Sequence, residues 1–167
     1  MPKYQRMWIV LNNTGKTIYY FVLWGILSLA SVKLKELVLS RLAQNGFAEI
    51  KTPFLSFYEV HNTGAAFNLF TDKANALIIA AVVCTIIITA IVLAKTSKLT
   101  QSMVSAMSLL SAGMTLNTFE RIHNGFVVDY VYFTFFKDFP VFNVPDIMIV
   151  IGALMLVLSI LTNHRTE

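Results

Sequence analysis

The chain has 167 residues, of which 56% are hydrophobic and only 13% are charged, and its mean hydropathy is +0.67. This composition is too apolar for a soluble domain of this length, so it indicates a small integral membrane protein. The net charge of +4 comes from scattered basic residues, which we interpret as signals of membrane orientation and not as a nucleic-acid-binding surface.

Four hydrophobic segments are each near the roughly 20 residues that a helix needs to cross a bilayer. The third is more polar than the others, with Ser and Thr spread around the helix. The four predicted spans cover residues 17–39, 74–94, 99–119 and 144–162. The sequence therefore predicts a single integral membrane domain over residues 1–167, with both termini on the same side of the membrane.

The first hydrophobic segment also has features of a cleaved secretory signal. Basic residues precede it, and residues 28–30 read SLA, which is acceptable as a small-residue cleavage site. The apolar run is long, however, and it continues into an amphipathic stretch. We therefore favour a membrane span over a signal peptide.

A second helical pattern covers residues 33–46 and overlaps the end of this span, which is prolonged through residues 33–39. Its apolar residues recur at helical spacing, and the pattern stops at a glycine. These residues are Leu34, Leu37, Val38 and Leu42, followed by Gly46. We expect this helix to lie along the membrane surface.

Two stretches between the spans have the composition of β-strands. Residues 48–70 and 126–136 mix aromatic and β-branched residues with turn formers. Because both would lie on the same side of the membrane, they predict a small extracytoplasmic sheet that acts as a cradle. The predicted fold is thus an all-α membrane protein with a small β element: four transmembrane helices, a β-cradle and a surface helix.

The distribution of basic residues predicts the orientation. The side with both termini and the short loop before the third span carries six basic residues and one acid, whereas the other side carries seven basic residues and eight acids. Cytoplasmic segments are enriched in Lys and Arg. The six residues are Lys3, Arg6, Lys16, Lys95, Lys98 and Arg165. We therefore expect this side to be cytoplasmic.

Two carboxylates are expected at the outer membrane face. Asp129 lies in the second strand-forming stretch, and Asp146 follows Pro145 at the start of the fourth span. Singly, Asp129 could be a charge on an exposed strand face, and Asp146 could be a helix cap. Together they form a candidate pair, because two close carboxylates in apolar surroundings share a proton and can activate water. That is the chemistry of an aspartic protease.

Three motifs in the chain resemble those of the bacterial lipoprotein signal peptidase family, also called signal peptidase II. They are HNTGAAFNLF at residues 61–70, NTFERIHNGFVVDYV at 117–131 and FNVPD at 142–146, in this order among the four spans. The resemblance implies that Asp129 and Asp146 are the catalytic pair. It also implies that other matched residues bind substrate or support the site: Asn62, Gly64, Asn117, Arg121 and Asn143.

The chain departs from the family pattern at several positions. Glu120 replaces the Asp that precedes the Arg of the motif, and Pro145 replaces an Ala. Thr115 and Leu116 replace small residues, and Ala30 lies near the place of an aspartate in the first span. We interpret these as changes in supporting residues, and we expect Glu120 to pair with Arg121 or another nearby cation.

The resemblance implies a membrane-embedded endopeptidase of the bacterial cytoplasmic (inner) membrane. Its substrate would be a lipid-modified prolipoprotein, cleaved just before the modified cysteine, and its other partner would be membrane lipid. It implies no metal, organic cofactor or nucleic acid, and we expect a monomer. Two alternatives remain open at this point: an inactive relative that only binds signal peptides, and a small membrane transport or assembly subunit with an acidic site.

Overall fold

The computed structural model describes residues 3–64, 74–136 and 138–163. Within these ranges the chain is mostly helical, with a small three-stranded sheet. The elements are α1 (Lys3–Gln44), β1 (Ile50–Lys51), β2 (Leu55–Asn62), α2 (Ala74–Lys95), a 3-10 turn (Thr96–Lys98), α3 (Gln101–Asn124), β3 (Val127–Phe133) and α4 (Val144–Asn163). Helices at the second, third and fourth predicted segments and both strand-forming stretches are confirmed there, while positions 65–70 of the first stretch lie outside the described residues.

The first helix differs from the prediction. α1 is one helix of 42 residues, which corresponds to a length of about 63 Å at the usual rise per residue. The prediction of a separate surface helix is therefore wrong, because residues 33–44 continue the helix of the first hydrophobic segment. No Gly or Pro interrupts residues 26–44, so nothing in this stretch breaks the helix. The predicted helix end is confirmed, since Gly46 adopts a φ of 70° just after Gln44.

Two helices of the described chain are long and apolar enough to cross a membrane. They are Ala74–Lys98, which comprises α2 and the 3-10 turn, and Val144–Asn163, with mean hydropathies of 3.1 and 2.5. Most of their apolar side chains are exposed, as expected for surfaces that face lipid; Ile86 and Leu158 are both 62% exposed. These features support membrane character, and the four-span topology stays a prediction.

Helix α3 packs against the other three helices, and it approaches α4 most closely. A methyl group added to Gly113 would collide with the carbonyl oxygen of Pro145, and one added to Gly152 would lie 2.9 Å from the carbonyl oxygen of Ala106. Small residues permit such close backbone contact between membrane helices. As a result Asn117, one turn after Gly113, lies beside the first turn of α4.

Hydroxyl groups join α1 to the neighbouring helices. The hydroxyl group of the fully buried Tyr20 lies 2.7 Å from the Ser111 hydroxyl on α3 and 2.9 Å from the Thr89 hydroxyl on α2. Hydrogen bonds of this kind link membrane helices that lack a hydrophobic driving force for association. The side chain of Tyr20 therefore ties α1 to both α2 and α3.

The sheet has the order β1-β2-β3, and both pairs are antiparallel. In the register of β2 and β3, Val60 lies opposite Asp129. Residues 127–131 of β3 are all buried. Phe142 pairs with Val131 along the other edge of β3, so the strand lies between β2 and the segment that leads into α4. The cluster of Tyr130, Val131 and Phe142 also packs against Val38 of α1. Asp129 is therefore inside the protein.

Candidate active site

Strand β3 places the carboxyl group of Asp129 in the protein interior. The residue is only 2% exposed, so the alternative of a charge on an exposed strand face is wrong. Asn143 Nδ2 donates to its Oδ1 atom at 2.7 Å, and Asn62 Nδ2 donates to its Oδ2 atom at 2.9 Å. Both carboxylate oxygens thus accept a hydrogen bond from a neutral amide.

Asp146 occupies the first turn of α4 and forms a reciprocal cap with Asn143. The backbone N–H of Asn143 donates to Asp146 Oδ2 at 3.1 Å, and the backbone N–H of Asp146 donates to Asn143 Oδ1 at 2.8 Å. This is the geometry of a capping box. The helix-cap interpretation of Asp146 is therefore confirmed. Its other oxygen, Oδ1, accepts from Asn117 Nδ2 at 2.7 Å, so the same carboxyl group also faces α3.

The side chain of Asn143 links the two carboxyl groups. It is 1% exposed, and its Nδ2 atom donates to Asp129 while its backbone N–H donates to Asp146. The same Nδ2 atom lies 3.3 Å from Asn117 Oδ1. One amide residue therefore fixes the position of both aspartates relative to each other.

The surroundings of Asp129 favour its protonated form. Burial, with a smaller contribution from the negative charge of Asp146, raises the pKa of Asp129 to about 6, although the hydrogen bonds from Asn62 and Asn143 act in the opposite direction. Removal of a carboxylate from water disfavours its charged form, and a nearby like charge has the same effect. Asp129 therefore holds a proton up to a higher pH than an ordinary aspartate, with a midpoint at about 6.

Arg121 supports the site through the backbone. Its Nη2 atom donates to the carbonyl oxygen of Gly64 at 2.6 Å, and the N–H of Gly64 donates to Asn62 Oδ1 at 2.9 Å. Asn62 in turn donates to Asp129. The guanidinium group therefore fixes the turn after β2, and that turn orients the amide that contacts the carboxylate.

Glu120 forms an ion pair, as predicted, and the cation is Lys35 on α1. Lys35 Nζ lies 2.6 Å from Glu120 Oε2, and the same oxygen accepts the backbone N–H of Val128 at 2.9 Å. Lys35 is not among the residues predicted from the sequence, because residues 33–46 were expected to lie along the membrane surface. The only feature of the sequence that pointed to Lys35 was its position as a charged residue within the apolar pattern of that stretch.

The structure brings together all eight residues predicted from the sequence. Seven are joined by continuous hydrogen bonds, and Glu120 is attached through the backbone of β3 next to Asp129. The seven are Asn62, Gly64, Asn117, Arg121, Asp129, Asn143 and Asp146. By contrast, two of the positions that depart from the family pattern, Ala30 and Thr115, are exposed.

Pro145 is compatible with its position in the structure. It is the second residue of α4, where a backbone N–H has no partner within the helix. Proline at a helix start therefore loses no helical hydrogen bond, and its fixed φ suits the first turn. The replacement leaves the capping box between Asn143 and Asp146 intact.

A cavity of about 950 Å³ opens beside the two carboxyl groups. The polar part of its lining includes Asp129, Asp146, Asn62, Asn117 and Arg121, whereas the remainder is mostly apolar. Apolar lining residues include Leu77, Met114, Phe139, Phe142, Ile147 and Val150. Concave apolar sites with a few fixed polar groups are typical of binding sites. The arrangement can therefore hold an apolar chain with one polar bond beside the aspartates.

Comparisons with known proteins find members of one peptidase family. Residues 17–162 match the family model described as signal peptidase (SPase) II. A lipoprotein signal peptidase of Staphylococcus haemolyticus is 30% identical over 157 residues, which cover 91% of this chain and 99% of the relative. A lipoprotein signal peptidase of Serratia marcescens is 34% identical over 149 residues, which cover 86% of this chain and 85% of the relative.

Solved structures share the fold. A bacterial membrane enzyme determined by the in meso method at 2.3 Å resolution superposes with a TM-score of 0.75 at 22% identity, over 89% of this chain and 91% of the other. A second, at 1.9 Å resolution, gives a TM-score of 0.72 at 23% identity, over 86% and 92%. The fold agrees over most of both chains, and the family model covers nearly the whole sequence. The chain belongs to the signal peptidase II family.

Proposed function

We propose that this peptidase is an aspartic endopeptidase that removes the signal peptide from diacylglyceryl-modified prolipoproteins, by cleavage just before the lipid-modified cysteine. The observation that carries the proposal is the pair of Asp129 and Asp146, joined by Asn143 at the polar end of an apolar cavity. An apolar signal segment fits such a cavity, and the scissile bond would lie beside the two carboxyl groups.

In the proposed reaction the two aspartates start with one shared proton, which resides mainly on Asp129. Asp146 accepts a proton from a water molecule, the water oxygen attacks the scissile carbonyl carbon, and Asp129 transfers its proton to the carbonyl oxygen. The resulting tetrahedral diol collapses: its hydroxyl proton returns to Asp129, Asp146 protonates the leaving nitrogen and the C–N bond breaks. The products are the signal peptide carboxylate and the free amine of the modified cysteine.

Neutral amides suit this mechanism. Asn62, Asn117 and Asn143 orient the carboxylates by donating N–H groups, and they cannot take up or release the shared proton near neutral pH. Fixed geometry of this kind provides much of the rate gain in enzymes. We assign these three residues, together with Arg121 and Gly64, to support of the pair and to binding of the substrate backbone.

Substitution of each aspartate by asparagine tests the catalytic assignment. Asp129→Asn and Asp146→Asn preserve shape but remove the titratable group, so each should abolish cleavage while the folded protein still binds substrate. Members of one catalytic unit are not additive, so the double variant should be no worse than either single variant. Glu49→Gln, an exposed carboxylate change on the sheet side, is the matched control and should retain normal activity.

The assay is a gel shift of a purified lipidated prolipoprotein incubated with protein of verified folding. General acid–base groups typically contribute 10²-fold or more. Cleavage by either asparagine variant at more than about one per cent of the wild-type rate would therefore refute the assignment of that residue.

For the membrane arrangement we propose four spans in a single domain, located in the bacterial cytoplasmic membrane. The termini and the 3-10 turn would lie in the cytoplasm, and the sheet and the aspartate pair would lie near the outer face. Two apolar helices support the membrane location, and the excess of basic residues on one side supports the orientation. We propose that the protein acts as a monomer.

Cysteine labelling in intact cells tests this orientation. In a Cys84→Ser background, a membrane-impermeant maleimide should react with Ile50→Cys on the sheet and should not react with Ser97→Cys in the 3-10 turn. Permeabilised cells provide the control, because Ser97→Cys should then become reactive. The reverse pattern in intact cells would place the site on the cytoplasmic side and contradict the proposal.

A further inference from the structure

A second charged pair lies close to the site but outside the hydrogen bonds of the aspartates. Lys35 on α1 and Glu120 on α3 lie 2.6 Å apart, and their side chains are only 21% and 16% exposed. The neighbouring pair on α1, Lys33 and Glu36, has the same kind of contact at 2.7 Å but is 75% and 58% exposed. Exposed pairs contribute little, whereas removal of one partner from a shielded pair leaves a costly lone charge.

Glu120 acts directly on the strand that carries Asp129. The oxygen that contacts Lys35, Oε2, also accepts the backbone N–H of Val128 at 2.9 Å. Val128 immediately precedes Asp129 in β3. A single carboxylate oxygen therefore connects α1 to the backbone next to the carboxyl group that holds the shared proton.

The carboxylate of Glu120 accepts the N–H of the residue before Asp129 and interacts electrostatically with Asp146. An unpaired carboxylate next to a pair that shares one proton favours the protonated form of that pair. Besides Asp146 on α4, the charged group that interacts with Glu120 is Arg121 on α3. On β2, Glu59 and His61 contact each other, and the charge that α2 contributes among the described residues is Lys95 at its far end. Lys35 is thus the cation in direct contact with Glu120.

We infer that Lys35 is a positioning residue for the reaction: it neutralises Glu120, so that this carboxylate can hold the backbone beside Asp129 without disturbing the shared proton of the pair. This inference rests on the proposed function. It assigns a role to the extended end of α1, which reaches the site through this ion pair.

The test is the pH dependence of kcat/KM for cleavage of a lipidated prolipoprotein by four variants. Lys35→Met leaves Glu120 uncompensated, and Glu120→Gln leaves Lys35 uncompensated. The double variant removes both charges, and Lys35→Arg retains the positive charge. Lys33→Met is the matched control, because it breaks an exposed pair on the same helix.

The inference predicts shifts in opposite directions. The pH profile of Lys35→Met should move to higher pH and that of Glu120→Gln to lower pH, each by about 0.5 to 1 unit, the size expected from one nearby charge in a partly shielded site. Three other proteins should keep the wild-type profile. They are the double variant that combines Lys35→Met with Glu120→Gln, the single variant Lys35→Arg and the control Lys33→Met. A merely structural role would lower the amount of folded protein without moving the profile.

Two outcomes would overturn the inference. One is an unchanged profile for Lys35→Met, and the other is a double variant shifted as far as Lys35→Met. If Lys35→Met does not fold, Glu120→Gln and the double variant still decide, since the inference requires their profiles to differ.

A second measurement separates this inference from the proposed function. The titration of Asp129 can be followed by the infrared band of its protonated carboxyl group, assigned by difference against Asp129→Asn. If the wild-type protein does not cleave prolipoprotein, the proposed function fails, and the titration alone tests the inference. Lys35→Met should raise the midpoint of that titration and the double variant should restore it; equal midpoints in all three proteins would reject the role of Lys35.

Discussion

Asn143 is the residue whose substitution tests the architecture of the site most directly. It caps α4 through Oδ1 and donates from Nδ2 to Asp129, so two functions reside in one side chain. Asn143→Ser separates them. Serine is as good a helix cap as asparagine, but it is too short to reach Asp129. Asn143→Ala removes both interactions.

The contacts of Asn143 indicate how much stability and activity each variant should lose. In both, Asp129 Oδ1 loses its amide donor in a buried site, which should cost about 1 to 3 kcal/mol. Loss of the cap in Asn143→Ala should cost about 1 kcal/mol more. Neither variant fixes the two carboxyl groups relative to each other, and small misplacements in active sites can cost about 10²-fold in rate. We expect both variants to lose activity to this extent, although only the alanine variant loses the cap.

The two variants are compared by thermal unfolding in detergent and by prolipoprotein cleavage with saturating and limiting substrate. Asn12→Ser, at an exposed position of α1, is the control for the same chemical change and should alter neither property. The reasoning is refuted if Asn143→Ser cleaves within tenfold of the wild-type rate, because the link between the aspartates would then be dispensable. It is also refuted if the alanine and serine variants are equally stable.

Three further predictions follow from the same contacts. Because burial raises the pKa of Asp129 to about 6 from an ordinary value near 3.8, its contribution to stability is present at low pH and is lost as the pH rises through 6. The unfolding free energy of the wild type relative to Asp129→Asn should fall by up to about 3 kcal/mol between pH 4 and 7; a constant difference would contradict this shift. Gly113→Ala should separate Asn117 from Asp146 and lower both stability and cleavage, with an overpacking cost of about 1 to 3 kcal/mol. Gly25→Ala is the control and should be harmless, because Gly25 has open space around it. Equal effects of the two substitutions in unfolding and cleavage assays would contradict the close packing of α3 and α4. Glu120→Asp should retain cleavage within about tenfold, a barrier change of about 1.4 kcal/mol, and a loss as complete as that of Asp129→Asn would show that Glu120 is itself catalytic.

Much of the fold was predictable because its local signals are strong. The apolar runs of α2 and α4 are long and uninterrupted, and β-branched and aromatic residues define β2 and β3. The aspartate pair was predictable for a related reason, since ionisable residues are costly in apolar surroundings and indicate function. The partners of the pair came from motif resemblance, because no periodicity relates an amide at Asn62 to a carboxylate at Asp129.

The remaining differences arise from tertiary structure. A local pattern cannot show whether a helix bends at the membrane surface or continues, so α1 was divided into two helices. Nor can it show that Phe142 pairs along the other edge of β3 or that residues 127–131 are all buried. Lys35 was not predicted as a site residue, because a local pattern does not show contacts between distant parts of the chain. Its partner Glu120 is 85 positions away in the sequence.

The helix cap and the proposed catalytic role of Asp146 do not compete. In the sequence, a helix cap and a catalytic carboxylate are alternatives, yet the structure makes the cap the device that places the carboxylate. The capping box fixes Asp146 Oδ2 against the backbone of Asn143, and the side chain of Asn143 extends from that fixed point to Asp129. The start of α4 is thereby tied to β3. A carboxylate that merely capped the helix would need no contact with Asn117 from α3, and this additional bond is what joins the helix start to the site.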